Sequence, residues 1–194
     1  MQPDTRPIPS LPDSGDSLGV VTIGRNEGLR LQKSLASTLG DNREVVYVDS
    51  GSTDGSVELA KSLGVDVVEL DPAWPFTAAR GRNAGFNYLK EKGVAFSYVQ
   101  FVDGDDEIDG KWLDVGVKTL AQNPEVGIVA GRKKECFPDG SVYNRLFEME
   151  WDTEIGEVNE VSGTCMVRAN VFEQLGGFNE SFIAGEDPEL CLRV

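Results

Sequence analysis

The sequence is organised around Phe101-Val102-Asp103-Gly104-Asp105-Asp106, which ends a run of strand-forming residues, 97–100, with three carboxylates around one glycine. Because side chains alternate across a strand, Asp103 and Asp105 are expected on one side of the backbone. Gly104 has no side chain and lets a ligand approach the backbone closely. Two oxygen donors in this arrangement suit Mg²⁺ or Mn²⁺, which keep several waters and share a ligand's phosphates. The alternative interpretation is a solvated acidic loop that follows a strand.

Two predicted strands upstream of this motif are also followed by polar segments. These strands cover residues 18–23 and 44–48, and a third is predicted over 65–70. The polar segments are Gly24-Arg25-Asn26-Glu27-Gly28 and Asp49-Ser50-Gly51-Ser52-Thr53-Asp54-Gly55. Ligands bind at the carboxyl ends of the strands in parallel sheets, so we expect these two segments and the acidic motif to share one edge.

Helices are predicted between these strands. One carries Leu31, Leu35 and Leu39 and ends at Gly40, one covers 56–63 with Thr53 or Asp54 as its N-cap, and one covers 76–92 with interruptions at Gly81 and Gly85. Strands that alternate with helices through short loops predict an α/β fold. We therefore expect three α/β/α layers around a mostly parallel central sheet.

The second half of the chain has shorter predicted elements. They are a helix over 111–122, a strand over 126–130, a turn at Pro138-Asp139-Gly140 between extended segments, a strand over 160–167, a helix over 170–175, and a last helix with Asp187 as its cap and Pro188 in its first turn. The last helix has had about two turns when the sequence stops at Val194, which indicates truncation there. Residues 1–17 contain four prolines and are expected to form a flexible leader.

Composition narrows the classes of function. A formal net charge of −15 argues against nucleic-acid binding, which needs Lys and Arg for the phosphates, and against anionic membrane surfaces. It does not exclude an anionic substrate, because a metal and a few placed arginines can set the local sign of the field. The sequence has no histidine, so acid–base chemistry must fall mainly to carboxylates.

The cysteines and the hydropathy pattern indicate a cellular location. The three cysteines are odd in number and include no C-x-x-C pair, which indicates reduced thiols rather than a disulfide framework. No apolar run approaches the roughly 20 residues of a membrane span, and the N-terminus lacks the pattern of a signal peptide. We therefore expect a cytoplasmic protein.

Several polar residues carry two interpretations each. Asp49 could accept a hydrogen bond from a base or ribose, or could be a turn carboxylate satisfied by the next backbone N–H groups. Arg80 and Arg82, beside Asn83, could reach phosphates or a base with their planar guanidinium groups, or could lie on a solvated helix face. Asp187 could be a catalytic carboxylate or an ordinary N-cap, and a helix N-terminus would lower its pKa.

Five segments together resemble a known family. They are Val20-Val21-Thr22-Ile23-Gly24-Arg25-Asn26-Glu27, Val48-Asp49-Ser50-Gly51-Ser52-Thr53-Asp54-Gly55-Ser56, Ala79-Arg80-Gly81-Arg82-Asn83-Ala84-Gly85, Asp103-Gly104-Asp105-Asp106 and Gly185-Glu186-Asp187-Pro188-Glu189-Leu190. In this order they resemble the motifs of family 2 glycosyltransferases, which are inverting enzymes of the GT-A (Rossmann-like) fold that use nucleotide-sugar donors. The match spans residues 18–194, and implies a nucleotide-binding half over 18–106 and an acceptor-side half over 107–194.

The resemblance implies a role for each matching residue. Asp49 resembles the Asp that binds the donor's base, and Arg82 the Arg near base and diphosphate. Asp103 and Asp105 resemble the D-x-D that meets ribose and metal, with Asp105 as the main ligand of Mg²⁺ or Mn²⁺. Asp187 resembles the catalytic base, paired with Glu186. The remaining residues expected at the donor are Gly24, Arg25, Asn26, Glu27, Ser50, Gly51, Asp54, Arg80, Asn83 and Gly104.

The implied reaction moves a sugar from a nucleotide-diphosphate donor, expected to be a UDP-sugar, to a saccharide, lipid-linked or small-molecule acceptor. Polysaccharide or cell-envelope synthesis is the expected setting, which leaves peripheral association with the inner face of a membrane open. Two departures from the family pattern bear on this. Ile23-Gly24-Arg25 replaces the commoner Pro-Thr-Tyr turn, and the Gln-x-x-Arg-Trp motif of processive synthases is absent.

Other classes of protein share parts of this pattern. A sugar nucleotidyltransferase would be expected to open with a basic, glycine-rich loop, and Gly24-Arg25-Asn26-Glu27-Gly28 is too short and too acidic for one. A dinucleotide-binding domain would need G-x-G-x-x-G after its first strand, which is absent. A non-catalytic nucleotide-sugar-binding module stays an alternative, and donor turnover separates it from an enzyme.

Overall fold

A six-stranded sheet forms the centre of the computed structural model, which describes residues 18–194; the predicted leader, residues 1–17, lies outside this range. The strands are β1 (Leu18–Gly24), β2 (Arg43–Asp49), β3 (Asp66–Glu69), β4 (Tyr98–Asp103), β5 (Ile128–Val129) and β6 (Met166–Arg168). The helices are α1 (Leu29–Thr38), α2 (Ser56–Ser62), α3 (Ala78–Glu91), α4 (Trp112–Gln122), α5 (Val142–Glu150), α6 (Ala169–Gln174) and α7 (Glu186–Cys191).

The strand order is β3-β2-β1-β4-β6-β5, and the first four strands in that order are parallel. β6 pairs antiparallel with both β4 and β5, so the sheet is mixed. The register sets Gly24 beside Asp49, and Ile23 beside Asp103. The carboxyl ends of β1, β2 and β4 therefore meet at one edge, as the sequence predicted.

The sheet is covered by helices on both faces, which confirms the predicted three-layer α/β/α fold. Val21 packs in one cluster with Phe86 and Leu89 of α3, together with Phe172 of α6. The neighbouring Val20 belongs to a second cluster, with residues of α4. Alternation along β1 thus sends adjacent side chains into different cores. No helix within residues 18–194 is long and apolar enough to cross a bilayer.

Helix α3 runs without a break, so the predicted interruptions at Gly81 and Gly85 are wrong. A Cβ at Gly85 would lie 2.3 Å from Cγ1 of Val21, and one at Gly81 would lie 3.2 Å from Cγ2 of Ile23. The two glycines therefore let the helix lie close against β1 instead of ending it. Thr77 caps the helix, and its side chain accepts a hydrogen bond from the backbone N–H of Arg80.

Two predicted helix caps are also wrong. Helices α2 and α7 are capped by Gly55 and Gly185, whose φ angles are 88° and 86°. Glycine enters this left-handed region without steric cost, so the acidic residues beside it are not needed as caps. Asp54 instead accepts a hydrogen bond from the backbone N–H of Ser56 at 3.0 Å. Asp187 lies inside α7 and makes no capping bond.

The second half differs most from its prediction. The turn at residues 138–140 leads into α5 and not into an extended segment. The apolar residues Val142, Leu146 and Met149 recur at helical spacing, which does not match the alternating pattern of an extended segment. The strand predicted over 160–167 is reduced to β6, because Gly163 and Thr164 leave the sheet and contact side chains of the polar edge instead.

Candidate active site

An open cleft of about 370 Å³ lies at the carboxyl edge of the sheet. The predicted site residues that line it are Gly24, Arg25, Glu27, Ser50, Asp103, Gly104 and Asp105. Phe76 and the first residues of α3 close one side of it. The cleft therefore brings together residues from the ends of β1, β2 and β4. Which of them contact a ligand stays a prediction.

A tight turn after β4 places the acidic motif at this cleft. The backbone N–H of Gly104 donates to the carbonyl of Ile23 at 2.7 Å, and that of Asp106 donates to the carbonyl of Asp103 at 2.9 Å. A Cβ at Gly104 would lie 3.0 Å from the same carbonyl oxygen of Ile23. The glycine lets the two strand ends approach, while Asp103 and Asp105 both face the cleft.

Arg82 joins the acidic motif to helix α7. Its Nη2 lies 2.8 Å from Oδ1 of Asp103, and its Nη1 lies 2.6 Å from Oε1 of Glu186 and 3.4 Å from Oδ1 of Asp187. The residue is only 3% exposed. Burial alone would lower the pKa of Arg82, but the charges of Asp103 and Asp187 outweigh it and raise that pKa, so the guanidinium stays charged. One buried cation thus connects two acidic groups distant in sequence.

The structure separates the roles that Arg80, Arg82 and Asn83 were predicted to share. Both terminal nitrogens of Arg82 contact carboxylates, and Arg82 is not among the residues that line the cleft. The predicted contact of Arg82 with phosphates or a base stays a prediction. Arg80 donates to the carbonyls of residues 71, 74 and 75 at 3.0 to 3.2 Å. Asn83 both donates to and accepts from the backbone of Phe178. In this structure Arg80 and Asn83 hold loops in place.

Asp187 has an environment suited to a proton acceptor. Burial is the largest cause that raises the pKa of Asp187, and with the neighbouring Glu186 it brings that pKa to about 6 against the opposing charge of Arg82. The predicted lowering by the helix N-terminus is therefore wrong, since desolvation and a second carboxylate outweigh the dipole of a six-residue helix. About 23% of the side chain is exposed, against 8% for Glu186. Asp187 is the more accessible carboxylate of the pair, and its pKa lies nearer to neutral pH than that of an ordinary aspartate.

Asp49 is a buried turn carboxylate. Its Oδ1 accepts a hydrogen bond from the Tyr47 hydroxyl at 2.9 Å, and its Oδ2 accepts from the backbone N–H groups of Gly51 and Ser52, each at 2.8 Å. The residue is 2% exposed. The structure therefore shows the turn carboxylate of the second interpretation, and contact of Asp49 with a base or ribose stays a prediction. The next residue, Ser50, lines the cleft.

Three further predicted residues shape the loops beside the cleft. Asn26 accepts from the backbone N–H of Thr53 at 2.7 Å, while its own N–H donates to the hydroxyl of Ser52 at 2.9 Å. This pair of bonds fastens the loop after β1 to the loop after β2, and Asp54 accepts from the backbone N–H of Ser56, the first residue of α2. Glu27 reaches the cleft, and burial together with the charge of Asp105 raises its pKa.

Sequence reasoning missed two residues at the polar edge of the sheet, Lys133 and Phe76. Lys133 Nζ lies 2.8 Å from Oδ2 of Asp106, whose carboxylate also accepts from the Thr164 hydroxyl. Burial lowers the pKa of Lys133, but Asp106 and then Asp103 outweigh it, so the net shift is upward. The sequence signal that could have revealed Lys133 was a basic run close after a strand of the same sheet. Phe76 was also missed, and the guanidinium of Arg25 lies 5.6 Å from its ring centroid.

The sequence profile described as Glycosyl transferase family 2 matches residues 19–176 of the chain. The chain belongs to this family. The membership expected from the five motifs is therefore confirmed.

Relatives of this chain include proteins named for glycosyl transfer, O-antigen biosynthesis and succinoglycan biosynthesis. Glycosyltransferase AglE of Haloferax volcanii is 29% identical over 177 residues, covering 84% of this chain and 56% of the relative. The O-antigen biosynthesis protein RfbC of Myxococcus xanthus is 32% identical over 187 residues, covering 82% of this chain and 14% of the relative. The succinoglycan biosynthesis protein ExoA of Rhizobium meliloti is 26% identical, covering 79% and 49%. The chain thus spans about half, or less, of these relatives.

Solved structures confirm the fold of the chain. The mannosyltransferase PcManGT from Pyrobaculum calidifontis, in complex with GDP-Man and Mn²⁺, has a TM-score of 0.67 at 20% identity, covering 96% of this chain and 54% of that one. Glucosyl-3-phosphoglycerate synthase from Mycobacterium tuberculosis, in complex with UDP, has a TM-score of 0.58 at 18% identity, covering 81% and 58%. Both are GT-A enzymes, so the GT-A fold implied by the resemblance is present here.

The acidic motif fits a divalent ion that is shared with a ligand. Asp105 is half exposed, and the nearest basic group is Arg30 at 3.9 Å. Asp103 uses one oxygen for Arg82, while Lys133 lies 3.7 Å from the other. Within residues 18–194 no group of three or more acidic or cysteine side chains is arranged to hold an ion. Two carboxylates alone suit Mg²⁺ or Mn²⁺ when waters and a diphosphate complete the coordination.

Proposed function

We propose that the chain transfers a sugar from a nucleotide-diphosphate donor to an acceptor hydroxyl with inversion at the anomeric carbon, and that Asp187 is the catalytic base. The observation that carries this proposal is the buried guanidinium of Arg82, which contacts both the acidic motif and the carboxylate pair of α7. A donor-side motif and a carboxylate with a raised pKa therefore lie on either side of one cation.

The donor is proposed to bind in the cleft beside Ser50, Arg25 and Asp103, and a UDP-sugar is the donor class that we propose. The complexes of the two solved relatives with GDP-Man and with UDP support a nucleotide-diphosphate donor of this kind. Asp49 acts on the nucleotide indirectly, since it holds the turn from which Ser50 reaches the cleft. Asp105 and Asp103 would hold Mg²⁺ or Mn²⁺, which supplies Lewis-acid neutralisation of the charge on the departing diphosphate.

Asp187 accepts the proton of the acceptor hydroxyl while that oxygen attacks the anomeric carbon. Attack from the face opposite the departing diphosphate needs one displacement and no covalent intermediate, which inverts the centre. General-base assistance of this kind contributes about 10² to 10⁴ in rate. Arg82 fixes Asp103 and Glu186 relative to one another, so the donor side and the base keep a constant separation.

The acceptor is proposed to be a saccharide, with lipid-linked and small-molecule acceptors as the other classes to assay. The names of relatives in O-antigen and succinoglycan biosynthesis support this choice and a role in polysaccharide or cell-envelope synthesis. Cytoplasmic location and contact with the inner face of a membrane stay predictions.

Replacement of Asp187 by Asn tests the proposal. Release of nucleoside diphosphate from a panel of UDP-sugars, with Mn²⁺ and candidate acceptors, should fall roughly a hundredfold or more, while donor affinity by calorimetry stays nearly unchanged. Glu189→Gln is the matched control, because Glu189 is a carboxylate of the same helix that pairs with Arg193 at 2.6 Å. Wild-type turnover in Asp187→Asn would remove Asp187 as the base. A wild-type chain that binds donor without turning it over in any assay would support a non-catalytic binding module.

A further inference from the structure

Lys133 is a cation built into the acidic motif. Its Nζ lies 2.8 Å from Oδ2 of Asp106 and 3.7 Å from Oδ2 of Asp103. Only 20% of its side chain is exposed. The ammonium also lies 5.5 Å from the ring centroid of Trp151, within the range of a cation–π contact. A lysine held between an indole and two carboxylates belongs to the site and is not a solvated surface charge.

The loop that carries Lys133 is fastened on both sides. Nη1 of Arg132 lies 2.9 Å from Oδ1 of Asp152, just beyond α5. On the other side, the backbone N–H of Glu135 donates to Oε2 of Glu148 at 2.7 Å. These contacts tie the loop to α5 and to the residues that follow it. The loop therefore holds Lys133 beside the acidic motif, and little conformational entropy has to be lost to keep it there.

Two other cations near the motif are used differently. Arg82 is buried and has its terminal nitrogens on Asp103 and Glu186. Arg30 approaches Asp105 only to 3.9 Å and is 64% exposed, so solvent screens it. Lys133 combines a short contact with partial burial, and a flexible ammonium can exchange one partner for another more readily than a forked guanidinium.

We propose that Lys133 is an internal counter-ion of the acidic motif, which weakens divalent-cation binding to the nucleotide-free site and attracts the diphosphate of the donor. The inference rests on the proposed function, in which ion and diphosphate meet at Asp103 and Asp105. A positive charge a few ångströms away repels a divalent cation and attracts an anion, so the residue acts in opposite directions on the two ligands. A lysine that only held the loop would act on both in the same direction.

The test compares Lys133→Met with Lys134→Met on the whole chain. Lys134 is the exposed neighbour, so its replacement removes the same formal charge from the same loop without touching the acidic motif. Mn²⁺ binding to the nucleotide-free protein is measured by electron paramagnetic resonance of the free ion. Binding of UDP and of GDP is measured by calorimetry in the presence of a chelator. Lys133→Arg keeps the charge and serves as the rescue variant.

Lys133→Met is expected to bind Mn²⁺ about tenfold more tightly and the metal-free diphosphate about tenfold more weakly. Lys134→Met should change either affinity less than about twofold, and Lys133→Arg should resemble wild type. Thermal unfolding checks that the variants are folded, and Lys133→Gln repeats the measurement if the Met variant is not.

Two sets of results would overturn the inference, and they are distinguishable. A wild-type chain that binds both ligands, with affinities in Lys133→Met that are unchanged or shifted in the same direction, refutes the counter-ion role alone. A wild-type chain that binds neither Mn²⁺ nor any nucleoside diphosphate refutes the proposed function, and this inference with it.

Discussion

Arg82 and Glu186 form a buried ion pair, with 2.6 Å between Nη1 and Oε1 and less than one tenth of either side chain exposed. The pair connects α3 to α7 and lies directly beside Asp103. Two well-packed apolar residues in place of a buried ion pair usually give a protein that is at least as stable. The position of this ion pair next to the cleft therefore points to a role in the geometry of the site. The pair holds α7, which carries the proposed base Asp187, against the acidic motif.

Arg82→Met should therefore destabilise the fold strongly. Removal of one partner leaves Glu186 and Asp103 as uncompensated charges, which costs about 3–5 kcal/mol of unfolding free energy. Arg80→Met is the matched control on the same helix, because the guanidinium of Arg80 donates to loop carbonyls and lies 5.9 Å from the ring centroid of Phe76, and it should cost about 1 kcal/mol. Urea unfolding followed by circular dichroism measures both. Equal losses of unfolding free energy in the two variants would show that the ion pairs of Arg82 contribute no more stability than the loop contacts of Arg80.

The pH dependence of turnover should have an acidic limb near pH 6. Burial raises the pKa of Asp187 to about 6, and a base must be ionised to accept a proton, so kcat/KM should fall about tenfold per pH unit below that value. The measurement is donor turnover from pH 4.5 to 8 at fixed Mn²⁺. A limb near pH 4, the ordinary value for an aspartate, would contradict the assignment.

The same shift predicts a gain in stability when the charge is removed. The folded state holds the Asp187 proton more tightly than the unfolded state, so the stability of the wild type falls as pH rises from about 4 to about 6. Asp187→Asn carries no charge to desolvate. At pH 7 it should unfold with about 1–2 kcal/mol more free energy than wild type, and the difference should vanish below pH 4. A variant that is less stable than wild type at pH 7 would show that the Arg82 contact dominates.

The sequence predicted the strand ends better than the side-chain contacts, for a physical reason. Polar segments after β1, β2 and β4 follow from local pattern and from the rule that parallel strands end at one edge. Arg82 lies on the buried face of α3 with Phe86 and Leu89, at helical spacing. Its partners Asp103 and Glu186 are far away in the chain, so no local pattern shows which contacts Arg82 makes.

The raised pKa of Asp187 and the position of Lys133 were beyond sequence reasoning for a similar reason. Desolvation of Asp187 depends on packing by segments far away in the chain, whereas the helix-end effect that was used to predict its pKa is local. Lys133 reaches Asp106 because its loop is tied to α5, a helix that the sequence-based prediction replaced with extended structure. An error in one element therefore hid a residue of the site.

Gly163 should be intolerant of any side chain. A Cβ at this position would lie 1.9 Å from Nη2 of Arg82, so Gly163→Ala must displace the guanidinium from Asp103. We expect a loss of about 1–3 kcal/mol from this overpacking, together with a fall in turnover. Gly110→Ala is the control, because a Cβ there meets nothing within 4 Å, and it should stay within about 0.5 kcal/mol of wild type. Wild-type behaviour of Gly163→Ala would mean that Arg82 can move without consequence.

Asp49 and Ser50 should separate a positioning role from direct contact with the nucleotide. Asp49→Ala leaves the backbone N–H groups of Gly51 and Ser52 and the buried hydroxyl of Tyr47 without their acceptor, which should cost about 1–3 kcal/mol and also weaken nucleotide binding because the turn relaxes. Ser50→Ala removes a hydroxyl that lines the cleft, so it should weaken UDP binding with little change in stability. Calorimetric titration with UDP gives the affinity of each variant, and urea unfolding gives the unfolding free energy of each. Unchanged affinity in Asp49→Ala would remove Asp49 from the nucleotide site altogether, whereas lost affinity at wild-type stability would favour a direct contact of Asp49 with the base.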